Sequence, residues 1–246
     1  MASANPLVWW RGFLALPNDT PVKTLGVAFL VALTCSMLVS VTAVTLKPLQ
    51  DANRLANNAA RLSGIANIQG RGLPETRLVD LATGAYVERN PGTSTALPAE
   101  RDIATLGSRE DVATVFELRE GGKLKLVILP VRGSAYQSTL KAYLALKADL
   151  NTVAALTFYE HDETPGLGAR IEEGAWQALW AGKQLADADG VIRIEVVKGA
   201  GTGVHQVDGI SGATRTGSGI NRLIRFWLGP DGYGPYLARL RAEAGP

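Results

Sequence analysis

Between Thr24 and Leu46 the chain reads TLGVAFLVALTCSMLVSVTAVTL, 23 residues with no charge and no polar face. As a helix rising about 1.5 Å per residue, that run spans roughly 34 Å, enough for a hydrocarbon core of about 30 Å. It exceeds the apolar stretch of a secretory signal and stands behind a 23-residue lead rather than a short basic one. The pattern predicts one membrane-spanning helix over 23–46, after a short segment 1–22. Leu49, Ala52, Leu55, Ala59 and Leu62 then recur at helical spacing, which predicts a helical linker over 47–69. Gly70, Gly72 and Pro74 break it, so a globular domain is expected over 70–246.

Within that domain RLVDLATGAYVE (77–88) reads as a hairpin turning at Thr83-Gly84, and VFELREGGKLKLVIL (115–129) as another turning at Gly121-Gly122. NPGTSTALP (90–98) reads as a loop between them. STLKAYLALK (138–147), rich in helix formers, suggests a short helix or an irregular segment. TVAALTFY (152–159) is expected to be a buried strand ending in the polar loop EHDETPGLGAR. A helix is expected over IEEGAWQALWAG (171–182), with Glu172 and Glu173 in its first turn. VIRIEVVKG (191–199) alternates as a strand. Ile220, Leu223, Ile224, Trp227 and Leu228 mark a last helix that Gly229-Pro230 stops. Hairpins mixed with helices, without regular βαβ alternation, predict an α+β fold: one transmembrane helix followed by a single mixed domain with antiparallel hairpins.

Charge narrows the function. The chain holds 25 basic and 23 acidic residues, and the first 46 contain only Arg11, Lys23 and Asp19 among them. No basic face for nucleic acid is expected. Arg11 and Lys23 before the span, against Lys47, Arg54 and Arg61 after it, leave orientation undecided by charge. Trp9, Trp10 and Phe13 suit a membrane interface. Cys35 is the only cysteine, and His161 and His205 the only histidines. An intrachain disulfide and a cysteine-held iron–sulfur cluster are excluded, and a conventional metal site is poorly supplied. Redox chemistry here calls for an organic cofactor.

The loop DGISGATRTGSG (208–219) runs into the last helix. Exposed amides ahead of a helix N-terminus favour an anion. Taken by itself the segment reads equally as an ordinary loop with Thr216 or Ser218 as helix N-cap. It lacks the lysine of a Walker loop and the context of a Rossmann fingerprint. A rival reading is a membrane-anchored module that binds or hydrolyses a phosphate-bearing ligand, with Ser211 or Thr214 as nucleophile and His205 as base.

D-G-I-S-G-A-T resembles the flavinylation sequence D-x-x-(S/T)-G-A-T, whose last threonine, Thr214 here, is esterified to FMN phosphate by a flavin transferase. PVKTLGVAF…CSMLVS…AV (21–44), YEHDETPGLGARIE (159–172) and GPDGYGPYLARLR (229–241) extend the likeness. Together these blocks resemble the NqrC family, subunits of the Na⁺-translocating NADH:quinone oxidoreductases. The RnfG family of the Rnf complex, which shares the flavin and ETPGLG segments, is the runner-up. Where the NqrC family carries a Gly-Trp pair near the flavin, this chain reads VRGSAYQSTL, and Tyr136 stands in for the tryptophan.

The resemblance implies an electron-carrying subunit with covalent FMN and no catalytic residues or metal of its own. It implies an inner-membrane protein whose main domain is periplasmic, beside other membrane, flavin and iron–sulfur subunits. The expected partners of FMN are Thr214, with Ser211, Gly212 and Ala213 around the phosphate. Glu163, Thr164, Leu167 and Gly168 are expected at the ring, with backbone amides of Thr164, Leu167 and Gly168 aimed at it and Glu163 capping the loop. Lys198 is expected to place a cation nearby. Asp208 is expected to serve the transferase or to cap the turn.

Overall fold

The structure, a computed structural model, describes residues 6–15, 17–18, 20–69 and 74–244. The expected Gly70 and Gly72 break, and the side chains of Trp9 and Leu55, lie outside the described residues. The chain divides into two compact units, Met1–Asn57 and Asn58–Pro246.

The first unit holds α1 (Pro6–Ala15) and most of α2 (Pro21–Gln69). α2 contains the whole expected span and is long and apolar enough to cross a membrane. Leu25, Phe29, Leu33, Met37, Val41 and Val44 are all exposed along it. Three of its threonines are satisfied within the helix: Thr34, Thr42 and Thr45 donate their hydroxyls to the carbonyls of Leu30, Leu38 and Val41 at 2.8, 2.8 and 2.9 Å. Such local pairing is compatible with an apolar environment, where hydrocarbon offers a hydroxyl no partner.

The second unit is built on β1 (Glu75–Asp80), β2 (Tyr86–Val87), β3 (Ser94–Ala96), β4 (Ser108–Glu110), β5 (Val112–Glu120), β6 (Lys123–Ser134), β7 (Thr139–Lys147) and β8 (Val153–Glu160). Six of these form one sheet in the order β2-β1-β5-β6-β7-β8, antiparallel throughout. Both expected hairpins form. Gly121 (φ 58°) and Gly122 (φ 79°) between β5 and β6 are both left-handed, the requirement of a two-residue turn matched to strand twist. β3 and β4 pair as a small separate ribbon, so part of the expected 90–98 loop is strand.

A 3₁₀ turn (Gly168–Glu172), α3 (Gly174–Ala178), β9 (Glu195–Val196), β10 (Gln206–Val207), α4 (Thr214–Leu228) and α5 (Gly234–Ala244) complete the unit. One sheet face packs Val115, Val127, Leu129, Leu144 and Phe158 against Ile220, Leu223, Ile224 and Trp227 of α4, Leu237 and Leu240 of α5, and Trp176 and Trp180. The other face packs Leu118, Leu126, Ile128 and Tyr143 against Leu62 and Ile65 of α2. Arg61 extends this attachment by donating to the Phe158 carbonyl.

Four further expectations need correction. Residues 138–147 are strand, not helix, because both faces of β7 are buried in the sheet. The helix expected over 171–182 is a 3₁₀ turn followed by five residues of α3; Glu173 occupies the N-cap without capping and pairs instead with Arg170 at 3.0 Å. The strand expected over 191–199 shrinks to β9, which pairs in parallel with β10. A helix follows Gly229-Pro230 that periodicity had not suggested, and α5 buries Tyr236, Leu237 and Leu240.

Candidate functional site

Both glycines of the 208–214 loop have a steric reason. A side chain on Gly209 would collide with the Val197 carbonyl, and the Gly209 amide donates to the Gly199 carbonyl at 2.7 Å. Ile210 is buried and anchors the loop. Ala213 N–H closes a turn onto the Ile210 carbonyl at 3.0 Å, with Gly212 at φ 77°. That arrangement is a type II turn, and glycine is the residue that tolerates its third position. Gly212 also lies so close to Leu167 that a Cβ would stand 2.8 Å from its Cδ2. The loop thereby brings the two sequence motifs together.

Thr214 is the first residue of α4 and is exposed. The helix N-cap is Ala213, which offers no side-chain bond, and the first turn holds no acid. Neither Thr216 nor Ser218 caps it, as an ordinary-loop reading required. The opening amides of a helix lack intrahelical partners and carry partial positive charge. Thr214 therefore places its hydroxyl at an uncapped helix start.

Two cavities meet there, both lined by Gly212, Ala213 and Thr214. The larger, about 780 Å³, extends along Glu195–Gly199 and Ser218. The smaller, about 460 Å³, extends toward Tyr136, Glu163, Thr164, Leu167, Gly168 and Arg215. Ser211 and Lys198 line the first, and both are exposed.

Glu163 organises the smaller cavity. It is 4% exposed. Its Oε1 accepts the amides of Tyr136, Gln137 and Ser138 at 3.2, 3.1 and 3.3 Å and the Ser138 hydroxyl at 3.1 Å. Its Oε2 accepts the Thr216 hydroxyl at 2.7 Å. Burial alone pushes its pKa up, but the hydrogen bonds from Thr216, Gln137 and Ser138 outweigh it and hold the carboxyl below its ordinary value. One carboxylate thus ties the β6–β7 connection, the 161–168 loop and the first turn of α4. The expectation that Glu163 caps a loop understated this, because the partners Ser138 and Thr216 are remote in sequence and carry no motif of their own. Gly168 is tightly placed beside it: a Cβ would stand 2.7 Å from both Glu163 Oε2 and Thr216 Oγ1.

The 164–167 turn is type II as its Pro-Gly pair suggests, with Gly166 at φ 75° and the Leu167 amide donating to the Thr164 carbonyl at 3.1 Å. That corrects one expectation: the Leu167 amide closes the turn and is not aimed into the cavity, to which Leu167 contributes its half-exposed side chain. His161 accepts the Glu163 amide on Nδ1 at 3.2 Å, and its Nε2 lies 2.5 Å from Glu172 Oε1 but off the donor axis. It braces the loop from outside the cavities. Asp208 accepts the Gly201 amide on Oδ1 at 2.8 Å, and its carbonyl accepts Trp176 Nε1 at 2.9 Å. It is a turn brace. His205 faces the Gln184 carbonyl at 2.8 Å and lines neither cavity, so the hydrolase reading loses its base. Arg215, which no motif marked, lies over the Tyr136 ring with Cζ 5.4 Å from its centre.

A glycine turn that sets an exposed hydroxyl at an uncapped helix start, between two cavities, has the features of a site for a phosphate-bearing ligand. In agreement, the FMN-binding domain family matches residues 135–229. The NqrC subunit of the Na⁺-translocating NADH-quinone reductase of Pseudomonas aeruginosa is 40% identical, over 91% of this chain and 97% of that one. Its counterpart from Vibrio parahaemolyticus is 39% identical, over 93% and 98%. The crystal structure of Shewanella oneidensis NqrC superposes with a TM-score of 0.71 at 31% identity, covering 78% of this chain and 99% of that one. The corresponding crystal structure from Parabacteroides distasonis gives 0.52 at 27% identity, covering 67% and 78%. The chain belongs to the NqrC family of Na⁺-translocating NADH-quinone reductase subunits.

Proposed function

We propose that this chain is an electron-carrying subunit of a membrane-bound, Na⁺-translocating NADH-quinone reductase, and that its FMN is esterified through the phosphate to Thr214. The observation that carries the reading is the placement of Thr214, exposed at the uncapped start of α4 where two cavities meet. The fit to FMN is chemical as well as spatial. Gly209 and Gly212 let the loop pack closely against Val197 and Leu167 while their backbone lines the larger cavity. Loop amides around Ser211, Gly212 and Ala213 and the helix end suit a phosphate monoanion. Leu167 and Tyr136 offer apolar and aromatic surface in the smaller cavity, and Lys198 a cation in the larger.

When bound, FMN supplies the electron transfer; the chain supplies position and charge. Glu163 and Thr216 lock the cavity wall to the helix that carries Thr214, so the tether point and the 163–168 loop move as one body. α2 supports membrane anchoring. The same reading places the chain in a bacterial inner membrane with residues 70–246 in the periplasm. It would stand beside other membrane, flavin and iron–sulfur subunits and be served by a flavin transferase.

Thr214→Ala is expected to abolish the ultraviolet-fluorescent band of this chain on a denaturing gel while leaving its thermal melt within about 0.5 kcal/mol, since an exposed threonine contributes little to the core. Fragment-ion mass spectrometry fixes the position. An FMN increment on Ser211 or Thr216 with Thr214 unmodified would sink the assignment.

A further inference from the structure

We propose that Arg215 is a positioning residue that sets how readily a flavin tethered at Thr214 is reduced, an inference that rests on the flavin reading above. Its guanidinium is held over the half-exposed Tyr136 ring at the rim of the smaller cavity, which both residues line. Among the described residues the Arg215 side chain makes no ion pair or hydrogen bond, only this ring contact. The other charged side chain lining the cavity is Glu163, buried and saturated with donors. The cavity therefore holds a fixed negative charge in its wall and a positive charge held only by a ring face.

Arg215 is also the second residue of α4, where the helix dipole disfavours a cation and no acid in the first turn balances it. An anion placed beside it removes that mismatch. Negative charge reaches the cavity in two forms. The phosphoester on Thr214 carries one charge in either oxidation state and so largely cancels from the potential. Two-electron reduction with uptake of one proton adds a charge to the ring that the oxidised form lacks. A guanidinium within reach stabilises that added charge, while Glu163 opposes it. Arginine suits the task because its planar cation rests on an aromatic face while keeping its charge at any working pH.

The test uses the full chain, purified in detergent from cells that also produce the flavin transferase, with gel fluorescence and flavin absorbance measured before a spectroelectrochemical titration. Arg215→Gln is expected to lower the reduced-to-oxidised ratio at fixed potential at least tenfold, about 30 mV for a two-electron couple. Arg215→Lys, which keeps the charge, is expected to show less than half that shift. Tyr136→Leu should shift the potential in the same direction, and adding it to Arg215→Gln should add nothing further. An Arg215→Gln protein with bound flavin and the parental potential overturns the proposal. So does loss of attachment in Arg215→Gln, which would assign the residue to transferase recognition instead. Absence of the fluorescent band from the unsubstituted chain is a different failure, since it removes the flavin reading itself.

Discussion

At the residue scale, Glu163 joins stability to the site. Its carboxylate accepts five donors from two distant segments, and hydrogen bonds to a charged group contribute about 1.5–3 kcal/mol each when one partner is removed, not additively. Because its folded pKa lies below the ordinary 4.5, its contribution is fully present above that pH and is lost as pH falls through the folded value. Glu163→Gln is expected to cost about 1–3 kcal/mol at pH 7. The difference from the parent chain should then shrink below pH 4.5 in thermal melts followed by circular dichroism. A difference that is constant from about pH 7 to about pH 3 would mean the carboxylate is not what the donors require. The sequence pointed to Glu163 through the ETPGLG segment, yet nothing local could show that Thr216 and Ser138 close around it. Long-range side-chain partners leave no periodic trace.

At the element scale, α4 carries Thr214, the proposed tether point, and is pressed against the β6–β7 connection. Gly219 explains how: a Cβ there would stand 2.6 Å from Ala135 Cα and 3.0 Å from the Ser134 carbonyl. Gly219→Ala gains helix propensity of roughly 1 kcal/mol but must displace backbone, a cost of about 1–3 kcal/mol. Net destabilisation in urea titration is expected, whereas Ser218→Ala, exposed on the same helix, should fall within about 0.5 kcal/mol of the parent. Equal melting of Gly219→Ala and Ser218→Ala would show that the contact gives way freely. α4 was legible because its apolar positions repeat at one helical face. β7 was not. Its Leu140, Ala142, Leu144 and Leu146 face one core while Tyr143 and Ala145 face the other, so the alternation vanishes and helix-forming Ala, Leu and Lys dominate the local signal. The short β9–β10 pair was misjudged for a related reason: loop bonds such as Gly209 to Gly199 fix its end, and these have no pattern.

At the scale of the whole molecule, the long apolar helix and the mixed α+β domain follow directly from a long uncharged run and from turn glycines between alternating stretches. The side of the membrane does not. Of the five cations flanking the span, Arg61 donates to the Phe158 carbonyl and so belongs to the domain rather than the juxtamembrane segment. Arg11 and Lys23 then stand against Lys47 and Arg54, an even count that gives the positive-inside rule nothing to act on. The proposed periplasmic placement rests on the family likeness and on where a flavin transferase must meet Thr214. It is expected that alkaline phosphatase fused to the C-terminus is active in intact cells, while green fluorescent protein at the same position stays dark. Bright fluorescence with no phosphatase activity would put the domain in the cytoplasm. In that case a fluorescent flavin band on the same chain would show that attachment itself takes place on that side.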